Sequence, residues 1–197
     1  LQEKLEIFAN TLLKWNEKIN LIGRSTAADV RSRHIADSLQ VVDPVRAELN
    51  SLSQGEKVIV DFGSGAGLPG IIMAIALEDV FGVHIYLCES NAKKCAFLNN
   101  VISELNLKNV SVKNSRIEDV KDIKADIITA RAFAEMKLIF ELSENFRKNE
   151  TKFILHKGEN LDKELIEANK YFSYKYETYP SETGSGVIIQ VSDLARN

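Results

Sequence analysis

Apolar residues recur at steps of three and four at the start of the chain: Leu1, Leu5, Phe8, Leu12, Trp15 and Ile19. That spacing predicts an amphipathic helix with one buried stripe. A polar break at Gly23 to Thr26 precedes a second helical stretch over Asp29 to Glu48, where Pro44 is expected to kink or interrupt the helix. From Lys57 the period changes. VIVDF (58–62) is a short β-branched run that ends in glycines and reads as a buried strand. Leu68 to Leu77 reads as a helix with Pro69 in its first turn. Further strands are predicted at HIYLCE (84–89), VSVK (110–113), DIITA (126–130) and KFILH (152–156). Helices are predicted from the Ser90/Asn91 cap to Leu105, over Glu135 to Phe146, and near Leu161 to Lys170. YKYETY (174–179) and GVIIQVS (186–192), joined by PSETGSG, predict a closing antiparallel hairpin.

Strands alternating with helices predict an α/β fold with a mostly parallel sheet covered on both faces. Seven strands ending in an antiparallel hairpin correspond to the class I methyltransferase (Rossmann-like) layout, here with an N-terminal helical extension over 1–50 and the main domain over 51–197. The 197 residues are enough to bury a core without disulfide or metal staples. The two cysteines, Cys88 and Cys95, fit no metal spacing and are expected to be reduced thiols in a cytoplasmic protein. The opening LQEKLEIFAN reads as a helix and not as a secretory signal, and no apolar run reaches the length of a membrane span. A metal is not expected, and neither is an obligate partner subunit. The net charge of −3 argues mildly against nucleic acid. Locally, however, Lys14, Lys18, Arg24, Arg31 and Arg33 outnumber Glu17 and Asp29, which makes a basic patch or a merely solvated helix face.

The chemistry concentrates in DFGSGAGLPG (61–70). Glycines after a first strand let backbone approach a ligand closely. Two registers fit. Gly65-x-Gly67-x-x-Gly70 matches a dinucleotide fingerprint, with Glu89 where a ribose ligand is wanted. Asp61-x-Gly63-x-Gly65-x-Gly67 matches an S-adenosylmethionine loop that also uses Glu89 on the ribose. A carboxylate at Asp61 suits a cationic sulfonium and ammonium better than a pyrophosphate. Ser64 and Ser90 lie within these two turns. After the third strand, Ile117 could pack on an adenine ring and Glu118 could accept from its amine.

The segments KINLIGR (18–24), RHIADSL (33–39), VDFGSGAGLPGI (60–71), SRIED (115–119), TARAFA (129–134) and LHKG (155–158) occur together and in this order. In this combination the chain resembles the RsmG (GidB) family of bacterial 16S ribosomal RNA guanine-N7 methyltransferases. The resemblance implies S-adenosylmethionine contacts at Gly63, Leu68, Ile117, Glu118 and Arg131. It also implies a substrate guanine in small-subunit ribosomal RNA, free or assembled. Members of that family carry basic residues around the last strand, where this chain reads TGSGVIIQVSDLARN.

Guanine N7 has an exposed lone pair and needs no general base. Arg131, at the end of the fourth strand, is the catalytic candidate. It could hold the cofactor carboxylate or donate to guanine O6, and a structural salt bridge is the third option. Lys18, Arg24, Arg31, Arg33, His34 and Lys157 are the RNA-binding candidates, with His34 a contact or packing residue and not a catalyst. Two rival functions remain open from the residues: a nicotinamide-dependent oxidoreductase, and a binding module of the same fold that lacks catalysis.

Overall fold

The computed structural model describes residues 1–184 and 186–197. Seven strands form one sheet in the order β3-β2-β1-β4-β5-β7-β6. They are β1 (Lys57–Phe62), β2 (Val83–Glu89), β3 (Val110–Asn114), β4 (Ala125–Arg131), β5 (Arg147–Lys157), β6 (Phe172–Pro180) and β7 (Val187–Arg196). The first five pair in parallel, and β7 runs antiparallel to both β5 and β6. The predicted class I methyltransferase layout is therefore the observed one.

The β1 pattern explains the two layers. Ile59 enters an apolar core on one face of the sheet, while Val58, Val60 and Phe62 enter a second core on the other. Each face is apolar because helices cover both. The first core is covered by α1 (Gln2–Asn16), α3 (Val42–Ser51), α4 (Gly70–Ala76) and α5 (Ala92–Glu104). The second lies under α6 (Met136–Leu142) and α7 (Leu161–Ala168). In α1 the predicted stripe is buried at Leu5, Phe8 and Leu12, and Trp15 packs edge-on against Phe97 of α5 at 5.8 Å. The first fifty residues thus share one continuous core with the sheet. Among the described residues, no helix is long and apolar enough to cross a membrane.

The second helical stretch differs from expectation. A π-helical segment (Val30–Ile35) runs into α2 (Ala36–Leu39), and the chain breaks at Gln40–Val41 before α3 begins. Pro44 falls in the first turn of α3, where a missing N–H costs no intrahelical bond, so the break precedes it. The helix predicted from Leu68 starts only at Gly70, which leaves Leu68 and Pro69 in the glycine loop. Asn91, not Ser90, caps α5, its side chain accepting from the N–H groups of Lys93 and Lys94. The helix predicted to reach Phe146 ends at Leu142 and closes with a 3-10 turn, Ser143–Asn145.

Candidate functional site

The C-terminal ends of β1, β2, β3 and β4 bring the glycine loop, Glu89, Ile117 and Arg131 to one edge of the sheet. Gly63, Gly65 and Gly67 all have positive φ (65°, 52° and 79°), a region that L side chains avoid. Close packing adds a second reason at two of them. A Cβ on Gly63 would lie 2.3 Å from the Phe133 ring, and one on Gly67 would lie 2.6 Å from Ile71. Glu89 fastens this loop: one carboxylate oxygen accepts from Gly65 N–H at 3.0 Å and the other from Asn91 N–H at 2.8 Å. The Ser64 hydroxyl donates to the Asp61 carbonyl, and its N–H donates to the Cys88 carbonyl.

Asp61 is 1% exposed beneath the loop. The Thr129 hydroxyl donates to its Oδ1 at 2.8 Å, while Oδ2 lies against Gly70 without a hydrogen-bond partner. Burial pushes its pKa up to about 6, against the lowering pull of its hydrogen bonds. Ile117 is buried in the second core at the start of a 3-10 turn, Ile117–Asp119. Glu118 is exposed 3.8 Å from Arg116. Leu68 is buried, and Ser90 is exposed.

Arg131 projects into a cavity of about 600 Å³ that is also lined by Arg33, Phe133, Glu135, Asn160 and Thr183. Its Nε donates to Asp37 Oδ2 at 2.9 Å. Both terminal nitrogens lie 3.3 Å from His34 Nδ1. An arginine can only donate, so His34 Nδ1 accepts, and its Nε2–H donates to Thr26 at 2.8 Å. Burial first, and then the Arg131 charge, lower the His34 pKa, which keeps the ring neutral. Asp37 gathers further donors. Ser181 and Thr183 of the β6–β7 turn donate to Oδ1 at 3.1 Å each, and His156 of β5 donates to its carbonyl at 3.0 Å. One carboxylate therefore joins α2, β4 and the hairpin, and its backbone adds β5. The salt-bridge option for Arg131 is realised, and the guanidinium still faces the cavity.

Ala132 follows with φ of 51°, a conformation uncommon for a residue with a Cβ. This turn separates Arg131, facing the cavity, from Phe133, which stacks over Gly63. The loop is held from below. Lys157 donates to the Ala134 carbonyl at 2.7 Å and to Glu164 at 2.6 Å, and Glu164 also accepts from Met136 N–H. The Lys157 side chain is 5% exposed. This corrects the expectation that Lys157 reaches RNA phosphate: the buried ammonium is spent inside the protein, because two part-buried acceptors claim it.

The other basic candidates differ in their surroundings. Arg33 is exposed on the cavity rim. Lys18 and Arg24 are exposed, and Arg31 is exposed but paired with Glu6 of α1 at 2.8 Å. Lys14 lies in a groove beside α5 with Asn100 and Glu104. Reading the sequence missed Asp37, Phe133, Asn160, Glu164 and Thr183. RHIADS and RAFA were visible as blocks, but nothing in the chain order marks Asp37 as the partner of a residue ninety-four positions away.

The family model described as GidB, rRNA small subunit methyltransferase G, matches residues 1–183. The chain is 38% identical over 196 residues to the ribosomal RNA small subunit methyltransferase G of Rickettsia prowazekii (strain Madrid E), covering 98% of this chain and 95% of that protein. It is 37% identical over 195 residues to the protein of the same name from Caulobacter vibrioides (strain NA1000 / CB15N), covering 98% and 86%. Among solved structures, a mutant of MtNAS in complex with S-adenosylmethionine is similar with a TM-score of 0.63 at 17% identity, covering 98% of this chain and 75% of that one. An rRNA methylase from Streptococcus thermophilus gives a TM-score of 0.54 at 10% identity, covering 77% and 95%. At these identities the two structures share the fold alone.

Two outcomes are expected. Lys157→Ala leaves Glu164 buried without its cation and should cost about 3–5 kcal/mol of stability, read by urea unfolding; a loss under about 1 kcal/mol would mean the ammonium is solvated. A carboxyl whose folded pKa is raised loses stability as pH rises between its unfolded value of 3.8 and about 6. Asp61→Asn removes that penalty. Its thermal midpoint should match wild type near pH 4 and exceed it near pH 7, by the equivalent of about 1–3 kcal/mol.

Proposed function

The chain belongs to the rRNA small subunit methyltransferase G (GidB) family, and from that premise we propose how its residues divide the work of an S-adenosylmethionine-dependent methyl transfer to N7 of a guanine in small-subunit ribosomal RNA. The family assignment takes the place of the nicotinamide register and of the inactive module. S-adenosylmethionine supplies, when bound, a methyl group on a sulfonium that a nitrogen lone pair can accept. N7 offers that lone pair without losing a proton, so the protein's task is alignment and charge management.

The cofactor side is the glycine loop with Glu89, Ile117, Glu118, Asp61 and Leu68. Its fit to a cationic nucleoside is supported by Gly65, where no side chain of the protein fills the space a Cβ would take, and by the unpartnered buried Asp61 oxygen. Glu89 retains lone pairs for a ribose diol beyond those that Gly65 and Asn91 use. Ser64 holds the loop, and Ser90 borders it at the end of β2.

The acceptor side is the 600 Å³ cavity, and the observation that carries this reading is the Arg131–Asp37–His34 cluster on its wall. Methylation at N7 moves positive charge onto the guanine. A free arginine beside that site would repel it. The Asp37 carboxylate offsets the Arg131 charge and fixes the guanidinium plane, leaving N–H groups to donate to O6 without covering N7. Phe133 borders both the glycine loop and the cavity, and its ring is the stacking surface for the base. Arg33 on the rim meets phosphate; His34 serves by orienting Arg131; Lys18 and Arg24 add long-range attraction. Lys157 takes part only by holding the Arg131–Met136 loop. The enzyme acts as a monomer, in the cytosol where ribosomal RNA and reduced thiols coexist.

Arg131→Lys keeps the charge and the Asp37 partner but loses the planar fork. Transfer of labelled methyl to small-subunit rRNA should fall by about 100-fold or more in kcat/KM, with thermal stability near wild type. Unchanged turnover would remove Arg131 from the acceptor site. Arg33→Glu should raise KM for RNA, leave kcat unchanged and flatten the log–log salt dependence by about one unit; an unaltered slope would take Arg33 off the phosphate path.

A further inference from the structure

Beside the cavity, across the β6–β7 turn, a groove of about 1440 Å³ runs between α2 and α3 on one side and the terminal hairpin on the other. Four carboxylates line it: Asp43, Glu48, Glu177 and Glu182. Among the described residues none of the four is in an ion pair. Of the two lysines on its walls, Lys175 is paired with Asp193 at 2.8 Å, which leaves Lys152. The groove therefore carries a local negative excess that phosphate would be repelled by. One tyrosine ring faces it: Tyr179, 41% exposed, lies opposite Ile188 of the first core and its hydroxyl donates to Glu177 at 2.8 Å. β6 is also the last strand of the sheet, so one of its edges has no strand partner among the described residues.

We propose that this groove receives a basic, extended segment of a small-subunit ribosomal protein, so that the enzyme grips a substrate in which RNA already carries protein. The inference rests on the reading of small-subunit rRNA as substrate. Proteins that bind that polyanion must themselves present lysine and arginine. Such a segment meets the groove's chemistry at three points. Its cations face carboxylates that form no ion pair among the described residues, of which Glu48 and Glu177 accept only from the neutral Gln190 and Tyr179. One of its guanidinium or ammonium groups can lie over the face of Tyr179. Its main chain can pair with the open edge of β6. Position adds a fourth argument. Pro180 and Glu182 line the groove while Ser181 and Thr183, on the same turn, line the cavity and bond Asp37. A protein segment held there would sit next to the base being modified.

The test compares equilibrium binding to naked 16S rRNA with binding to small subunits that lack the methyl group. Two variants are used: Asp43→Asn/Glu177→Gln/Glu182→Gln, and Tyr179→Ser, each checked for folding by thermal unfolding. Both should bind subunits about tenfold more weakly. The charge variant should bind naked rRNA as well as wild type or better, since repulsion falls. Equal changes on both substrates would mean that the groove reads RNA, and no change on either would mean that it reads nothing; both overturn the proposal, as would a change confined to self-association. Labelled methyl transfer by wild type is measured alongside. Its absence on both substrates would sink the function itself, whereas transfer without a subunit-specific binding loss sinks only the groove.

Discussion

The Asp37–Arg131 ion pair is the contact on which the arrangement of the candidate site depends. Asp37 comes from the N-terminal helices, Arg131 from the centre of the sheet, and the side chains that complete the cluster from β5 and the last hairpin. Both partners are largely withdrawn from water, at 19% and 14% side-chain exposure. Such a pair returns its desolvation cost only when every remaining lone pair and proton is used. Here the carboxylate is saturated and two guanidinium N–H groups stay open to the cavity. Asp37 accepts at both carboxylate oxygens and its carbonyl, and Arg131 donates to a histidine held neutral by burial. Protonating that histidine would set a second cation against the guanidinium.

The glycine loop is constrained in a complementary way. Its three positive-φ glycines are bent for backbone reasons, yet the space their missing side chains leave is occupied by Phe133 and Ile71. Phe133 reaches Gly63 because Ala132 adopts a left-handed turn directly after Arg131. Below, Lys157 and Glu164 hold the same segment through its carbonyl and N–H groups. The cofactor loop and the acceptor cavity therefore share a wall three residues long. A shift of that wall would disturb both, which fits a reaction whose main requirement is alignment.

Charge is segregated to match. Arg33 stands at the cavity rim, while the carboxylates that would repel RNA gather on the far side of the β6–β7 turn. A net charge of −3 is therefore unevenly placed: the cavity lining balances Arg33, Arg131 and Lys157 against Asp37, Glu135 and Glu164, and the groove carries an acidic excess. The hairpin turn is the boundary between them, and Asp37 anchors it.

The sequence by itself determined the alternation of strands and helices, the glycine turn and the family, because these rest on period, on φ-permissive residues and on short motifs that sit contiguously in the chain. VIVDF with its glycines, the α1 stripe and the closing hairpin were readable for that reason. Arg131 was readable as important, and its role was not. Only the tertiary structure decided that Asp37 is its partner, that Lys157 is spent in an internal pair and that Arg31 is tied to Glu6 while Arg33 stands on the cavity rim. Those facts depend on which side chains meet across strands far apart in sequence. Burial and pairing of a charge are set by that meeting, and a lysine in the string of letters looks the same whether it faces phosphate or a buried glutamate.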